Sequence, residues 1–270
     1  MTASSTARLG EFVRQSIEGG GTTAALQTVA AEATGRCAVL VCNDDRALAG
    51  LPGAARSLSH EFVVANAPMV DGAAIVLIDG FALVSPKRVE MALWLARRAA
   101  AAGARLALNL QSANLLKFNK NARDAITEML PLATYIFGNT AELAEYAAQR
   151  GWSAQAGGDE MLSLAAQLAA QLATGSPGAP AAAVFTAGAS PSVLASRDGR
   201  AEHVSFPQEA SIPAGGDTNG CGDSFVGGFL AAAAMGKPLQ ECVSVGHSCA
   251  QNVLRHTGVP KDLGMMVLML

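Results

Sequence analysis

Five short apolar runs constrain this chain more than any other feature: CAVLVC (37–42), AAIVLID (73–79), RLALNL (105–110), TYIFG (134–138) and AAAVFT (181–186). Rich in Val, Ile, Leu and Ala, they read as buried strands. Between them lie segments with helical spacing. SPKRVEMALWLARRAAAAG opens on Ser85 as a candidate N-cap, with Pro86 at the first helical position, and stops at Gly103. NTAELAEYAAQRG and GDEMLSLAAQLAAQLATG likewise end on glycine. Strand and helix in alternation predict an α/β fold with a doubly wound, mostly parallel sheet and helices on both faces. VLAS (193–196) and EHVSF (202–206) read as an antiparallel addition to it.

In such sheets ligands bind outside the carboxyl ends of the strands. That rule points to Asp79-Gly80-Phe81, Asn109, Asn139 and Thr186-Ala187-Gly188. The totals agree with an enzyme-sized core: 270 residues, 50% hydrophobic and only 5% aromatic, suit one main domain of closely packed helices on a sheet. A net charge of −3 with no run of Lys or Arg argues against a nucleic-acid partner. The five cysteines form no CxxC pair, which suits a reduced chain. The N-terminus has no apolar signal region, and LGMMVLML at the other end is far short of the ~20 residues that span a bilayer. A soluble, cytoplasmic protein without a membrane partner is expected.

GGDTNGCGDSFVGGFL (215–230) carries the most chemistry. Its glycines let the backbone turn tightly, and the apolar run after Asp223 reads as a helix. The N–H groups of Gly220, Cys221 and Gly222 would then face a ligand at the helix N-terminus, where the dipole favours phosphate. Asp223 has two readings. It caps the helix, or it is a general base that takes a proton from a hydroxyl attacking a phosphoryl group. Neither a GxxxxGK[ST] motif nor a strand-coupled GxGxxG is present.

The same stretch resembles the second signature of the ribokinase-like (PfkB) sugar and nucleoside kinases, through Asp217, Thr218, Gly220, Gly222, Asp223, Phe225, Gly227 and Gly228. CAVLVCNDDRALA, DGFALVSP, LNLQSANLLKF, IFGNTAE and VGHSCAQNVLRHTG extend the likeness in order from about Leu9 to Val259, and within the family they are most similar to the adenosine kinases. The resemblance implies transfer of the γ-phosphate of ATP to the 5′-hydroxyl of adenosine, with Mg²⁺. It implies Asp223 as base, and an anion hole at Gly220, Cys221 and Gly222 beside Asn219. Arg46 would reach the transferring group from a lid, with a surface ion pair to Asp44 or Asp45 as its plain alternative. Asn139 and Glu142 would help hold magnesium and phosphate, or would simply form a capping box on their own helix. Thr186 and Gly188 would contact the nucleotide. Phe81 and Leu48 would line the nucleoside pocket, Phe81 having a core position as its alternative, while His247 reads as a packed histidine.

The likeness fails at the start, where the family's first strand, its ribose-binding aspartate and its Gly-Gly signature have no counterpart. The chain therefore reads as one kinase domain over 1–270, truncated at its N-terminus, with a lid-strand remnant over about 36–50 and a bare sheet edge. A monomer, or pairing through that edge, is expected. A kinase of another nucleoside or sugar, or a catalytically silent nucleotide-binding chain, remain as alternatives.

Overall fold

The structure, a computed structural model, describes residues 1–4, 8–42, 45–154, 158–174, 180–206 and 218–255. The chain divides into two compact units, Met1–Met69 and Val70–Leu270. The first contains β1 (Thr2–Ser4), α1 (Arg8–Gly19), β2 (Leu26–Thr28), β3 (Thr34–Cys42), β4 (Asp45–Gly53) and α2 (His60–Ala65). β1 pairs with β2 in parallel, and β3 with β4 in an antiparallel hairpin. The described residues of the stretch 36–50, expected as a lid remnant, fall in β3 and β4. CAVLVC corrects one expectation: it is a strand but not a buried one, with Val39 40% and Leu40 66% exposed. An apolar run marks a strand; burial also requires a covering layer, and this ribbon has only its partner strand in its sheet.

A single-turn helix, α3 (Pro68–Asp71), spans the change of unit. The second unit then runs β5 (Ile75–Asp79), α4 (Pro86–Ala101), β6 (Arg105–Asn109), α5 (Ala113–Phe118), α6 (Lys120–Met129), β7 (Ala133–Asn139), α7 (Thr140–Gln149), α8 (Glu160–Ala169), β8 (Ala182–Ala187), β9 (Ser190–Ser196), β10 (Ala201–Val204), α9 (Cys221–Ala234) and α10 (Leu239–Leu254). The six strands of its sheet lie in the order β10-β9-β8-β7-β6-β5. β5 to β8 are parallel, and β9 and β10 form the expected antiparallel addition. α4 begins at Pro86 as the sequence predicts, its Ser85 carbonyl accepting from Val89 N–H at 2.9 Å.

Successive side chains on a strand point to opposite faces, and both faces here are buried. Leu106, Leu108, Ile136, Ala183 and Phe185 pack with the helices α4 to α8. Ala107, Tyr135, Phe137, Ala182 and Val184 pack with α9 and α10. The fold is therefore doubly wound. At the sheet's β5 edge Leu77 is 44% exposed. Among the described residues no helix is long and apolar enough to cross a membrane.

α9 and α10 cross closely because two glycines meet there. A Cβ on Gly228 would lie 2.8 Å from Cys249 Sγ and 3.0 Å from the Val245 carbonyl, whereas one on Gly227 would meet nothing within 4 Å. The two Ala substitutions should therefore differ in sign. Gly228→Ala is expected to cost about 1–3 kcal/mol through overpacking. Gly227→Ala is expected to gain about 0.5–1 kcal/mol from helix propensity. Urea unfolding midpoints check both, and equal shifts would contradict the crossing.

Candidate active site

Two contacts fix how α9 lies along the sheet. Arg105, at the start of β6, donates from Nη1 to the Ala233 carbonyl at 2.9 Å, near the helix C-terminus. Gln111, just past the end of β6, donates from Nε2 to Asp223 Oδ1 at 3.4 Å, in the helix's first turn. α9 thus runs antiparallel to β6, and its N-terminus lies at the carboxyl ends of the strands, where an α/β sheet binds ligands.

Gly220 is the N-cap of α9, with φ 80° and ψ −3°. A side chain is strained there, so glycine is required. Cys221 is the first helical residue, and its N–H donates to the Thr218 carbonyl at 3.4 Å. Asp223 is the third helical residue, which corrects its reading as a cap. Its side chain is exposed, and its charge suits the positive end of the helix. Asp217 lies outside the described residues.

Two more carboxyl groups converge from neighbouring strand ends. Asp79 closes β5, and its Oδ1 accepts from Phe81 N–H at 2.8 Å. Burial pushes its pKa up from 3.8 to about 6; the Phe81 hydrogen bond opposes this, the Asp223 charge adds to it, and Arg88 opposes it more weakly. Glu142 is 6% exposed in the first turn of α7. Burial raises its pKa too; hydrogen bonds from Asn139 oppose that, and the charges of Asp79 and Asp223 add to it.

Asn139 and Glu142 form a complete capping box. Glu142 N–H donates to Asn139 Oδ1 at 2.9 Å, Asn139 N–H to Glu142 Oε2 at 3.0 Å, and Asn139 Nδ2 to Glu142 Oε1 at 2.8 Å. Both carboxylate oxygens of Glu142 are therefore engaged by Asn139. Among the described residues no group of three or more His, Cys, Asp or Glu side chains is placed to ligate one ion. An all-oxygen donor set still suits Mg²⁺, which keeps much of its water shell and binds such side chains through it.

The remaining expected residues distribute as follows. Thr186 pairs in register with Asn139 across β7 and β8, and Gly188, φ 62°, lies in the turn to β9. Both are at the carboxyl end of the sheet. Asn219 is half-buried immediately before the Gly220 cap. Phe81 is 52% exposed beside Asp79, so its core alternative falls away. Arg46 and Leu48 have their backbones in β4, opposite Val41 and Val39, while their side chains lie outside the described residues. His247 is the packed histidine expected. Its Nε2 is 2.8 Å from Ser192 Oγ, its ring stacks on Phe206 at 3.5 Å, and burial lowers its pKa to about 4.

Strand-end reasoning singled out Asp79 and Asn109 without giving either a role, and it missed Arg88 and Gln111. Gln111 is the one non-glycine residue with positive φ, 67°, among the described residues. A side chain in that conformation costs on the order of 1–2 kcal/mol. No local pattern marks such a glutamine, since Gly, Asn and Asp are the usual occupants.

The chain is similar to known proteins in both sequence and fold. The family model described as pfkB family carbohydrate kinase matches residues 6–263. Adenosine kinase 1 of Arabidopsis thaliana is 32% identical over 231 residues, 83% of this chain and 62% of that protein. The chain thus spans under two thirds of the length of this relative. The structure of Trypanosoma brucei brucei adenosine kinase without ligand superposes with a TM-score of 0.80 at 29% identity, covering 94% of this chain and 74% of that one. Anopheles gambiae adenosine kinase, in complex with P1,P4-di(adenosine-5) tetraphosphate, gives a TM-score of 0.83 at 25% identity, covering 96% and 75%.

The raised pKa of Asp79 makes a signed prediction. Charging Asp79 costs more in the folded than in the unfolded chain, so its contribution to stability is full below pH 3.8 and is lost as pH rises through about 6. Asp79→Asn keeps an acceptor for Phe81 N–H and removes the charge. Its melting temperature should exceed that of the natural chain at pH 8 and match it near pH 4, by differential scanning fluorimetry across that range. A gain independent of pH would contradict the assignment.

Proposed function

The chain belongs to the pfkB family of carbohydrate kinases, and from that premise we propose that it transfers the γ-phosphoryl group of ATP to the 5′-hydroxyl of adenosine, giving ADP and AMP. The observation that carries this reading is Asp223, an exposed carboxylate in the first turn of α9, one residue beyond the amides expected to receive phosphate. The similarity to adenosine kinases supports the choice of acceptor. Purine salvage in the cytoplasm is the setting that such an activity implies.

Asp223 accepts the hydroxyl proton as the acceptor oxygen attacks phosphorus. The new O–P bond forms as the bond from phosphorus to the β,γ-bridging oxygen breaks, and ADP leaves with that electron pair. The N–H groups around Gly220, Cys221 and Gly222, with Asn219 beside them, receive the charge of the transferring group. The family resemblance assigns Arg46 a share in stabilising that charge, a task for which a guanidinium is suited. The same resemblance assigns nucleotide contact to Thr186 and Gly188, and nucleoside contact to Phe81 and Leu48. Asn139 and Glu142 would hold hydrated Mg²⁺ against the phosphates, and the ion would supply charge neutralisation there.

Without a counter-charge this site would oppose its own substrate, because the Asp223 charge raises the cost of ionising Asp79, and both raise that of Glu142. ATP is therefore expected to bind weakly in the absence of Mg²⁺. With MgATP and adenosine the purified chain should release ADP, and Asp223→Asn should lower turnover by roughly 10²–10⁴-fold while MgATP binding by calorimetry stays close to that of the natural chain. Near-normal turnover in the variant would refute the role of Asp223. MgATP binding with no transfer to any acceptor would refute the activity and leave a nucleotide-binding chain.

A further inference from the structure

The strained turn after β6 makes sense once its side chain is followed. Gln111 is the central residue of a three-residue turn in which Ser112 N–H donates to the Leu110 carbonyl at 2.8 Å. With φ at 67° this is the rare form of the γ-turn, an intrinsically strained one. Both flanks hold it in place. Leu110 N–H donates to the Phe137 carbonyl on β7 at 2.9 Å, and Ser112 caps α5 by accepting from Leu115 N–H at 3.4 Å. The backbone at Gln111 is therefore set between a buried strand end and a helix start, and its side chain has a fixed point of departure.

The amide is oriented as well. Asn109 is 8% exposed, and its Nδ2 donates to Gln111 Oε1 at 2.6 Å. With the oxygen so engaged, the NH2 group faces Asp223 and donates to Oδ1 at 3.4 Å. The reverse orientation would set an amide oxygen against a carboxylate and an NH2 against an NH2. Asn109, Gln111 and Asp223 thus form a relay from the buried end of β6 to the first turn of α9.

We propose that Gln111 is the positioning residue for Asp223: through the strained turn and the Asn109–Gln111–Asp223 relay it holds Oδ1 and presents Oδ2 to the acceptor hydroxyl. The contact stands on geometry alone, and its kinetic consequence rests on the phosphoryl transfer proposed above. Strain kept beside a cluster of ionisable groups is the pattern found where a backbone serves a site. The relay also explains why a glutamine is useful at a place where glycine would fit better. Asn109 needs an acceptor and Asp223 needs a donor, and one primary amide supplies both.

Three variants and one spectrum test this. Gln111→Met, similar in length but without a donor, should lower kcat by about tenfold or more with the KM for MgATP little changed, because the loss falls on alignment in the transition state. Gln111→Glu should be worse near neutral pH and recover relative to the natural chain as pH falls, since only the protonated carboxyl can donate. Gln111→Gly relieves the strain, so it should unfold at the same or higher temperature while turning over more slowly. In the natural chain the side-chain amide resonances of Gln111, followed by NMR, should move in Asp223→Ala. Unchanged amide resonances in that variant, or normal kcat in Gln111→Met, would overturn the proposal. A chain that shows no turnover yet whose Gln111 amide responds to Asp223→Ala retains the relay and loses the proposed activity.

Discussion

Phe229 lies edge-on to Tyr135 and Phe137 of β7, with ring centroids 5.4 and 5.0 Å away, and this aromatic cluster anchors α9 to the sheet. The rings are almost wholly buried, each contributing roughly 1.5–3 kcal/mol through burial and a further ~0.5–1.5 kcal/mol where edges meet faces. Asp223 precedes Phe229 by six residues, or about 9 Å of helix at 1.5 Å per residue. Anchoring the apolar middle of α9 therefore decides where its polar start emerges. Arg105 holds one end of the helix and Gln111 meets the other. The close crossing with α10 at Gly228 and Gly246 secures its outer face. The glycines that make a poor helix in isolation are what allow this helix to be clamped.

The clamp brings like charges together. Asp79, Glu142 and Asp223 arrive from β5, α7 and α9, and burial at the strand ends leaves the first two poorly solvated. Such crowding serves stability badly, which is why it points to chemistry. By the function proposed above, a nucleotide accompanied by a divalent cation would offset this negative charge, and the helix N-terminus would receive the phosphate. The capping box of Asn139 and Glu142 shows how one pair can serve both fold and site. Its hydrogen bonds satisfy the start of α7 and also fix the carboxylate at the sheet's carboxyl end.

Much of this was legible in the residues. The runs at 73–79, 105–110, 134–138 and 181–186 became the parallel strands, because continuous apolar stretches are what two covered faces demand. Pro86 marked a helix start, and GCGD marked the entry to α9. CAVLVC was legible as a strand and not as an exposed one, because burial depends on covering layers that local sequence does not encode. Asp223 as a cap was the wrong alternative for a related reason: Asp and Gly both suit helix starts, and only the backbone shows Gly220 in the left-handed conformation. Gln111 left no signal, because its importance lies in a contact 112 positions away in the chain. The side chains of Arg46 and Leu48 lie outside the described residues, so their parts in the site stand on resemblance.

The proposed function requires the start of α9 to receive the phosphate of a nucleotide. The most direct measurement is amide NMR of the isotopically labelled chain titrated with Mg²⁺ and a non-hydrolysable ATP analogue. Saturable shifts are expected at the backbone N–H groups of Gly220, Cys221 and Gly222, with Gly236, just beyond the opposite end of the helix, unmoved. Shifts that spare the Gly220 to Gly222 turn, or that concentrate around Gly236, would contradict it.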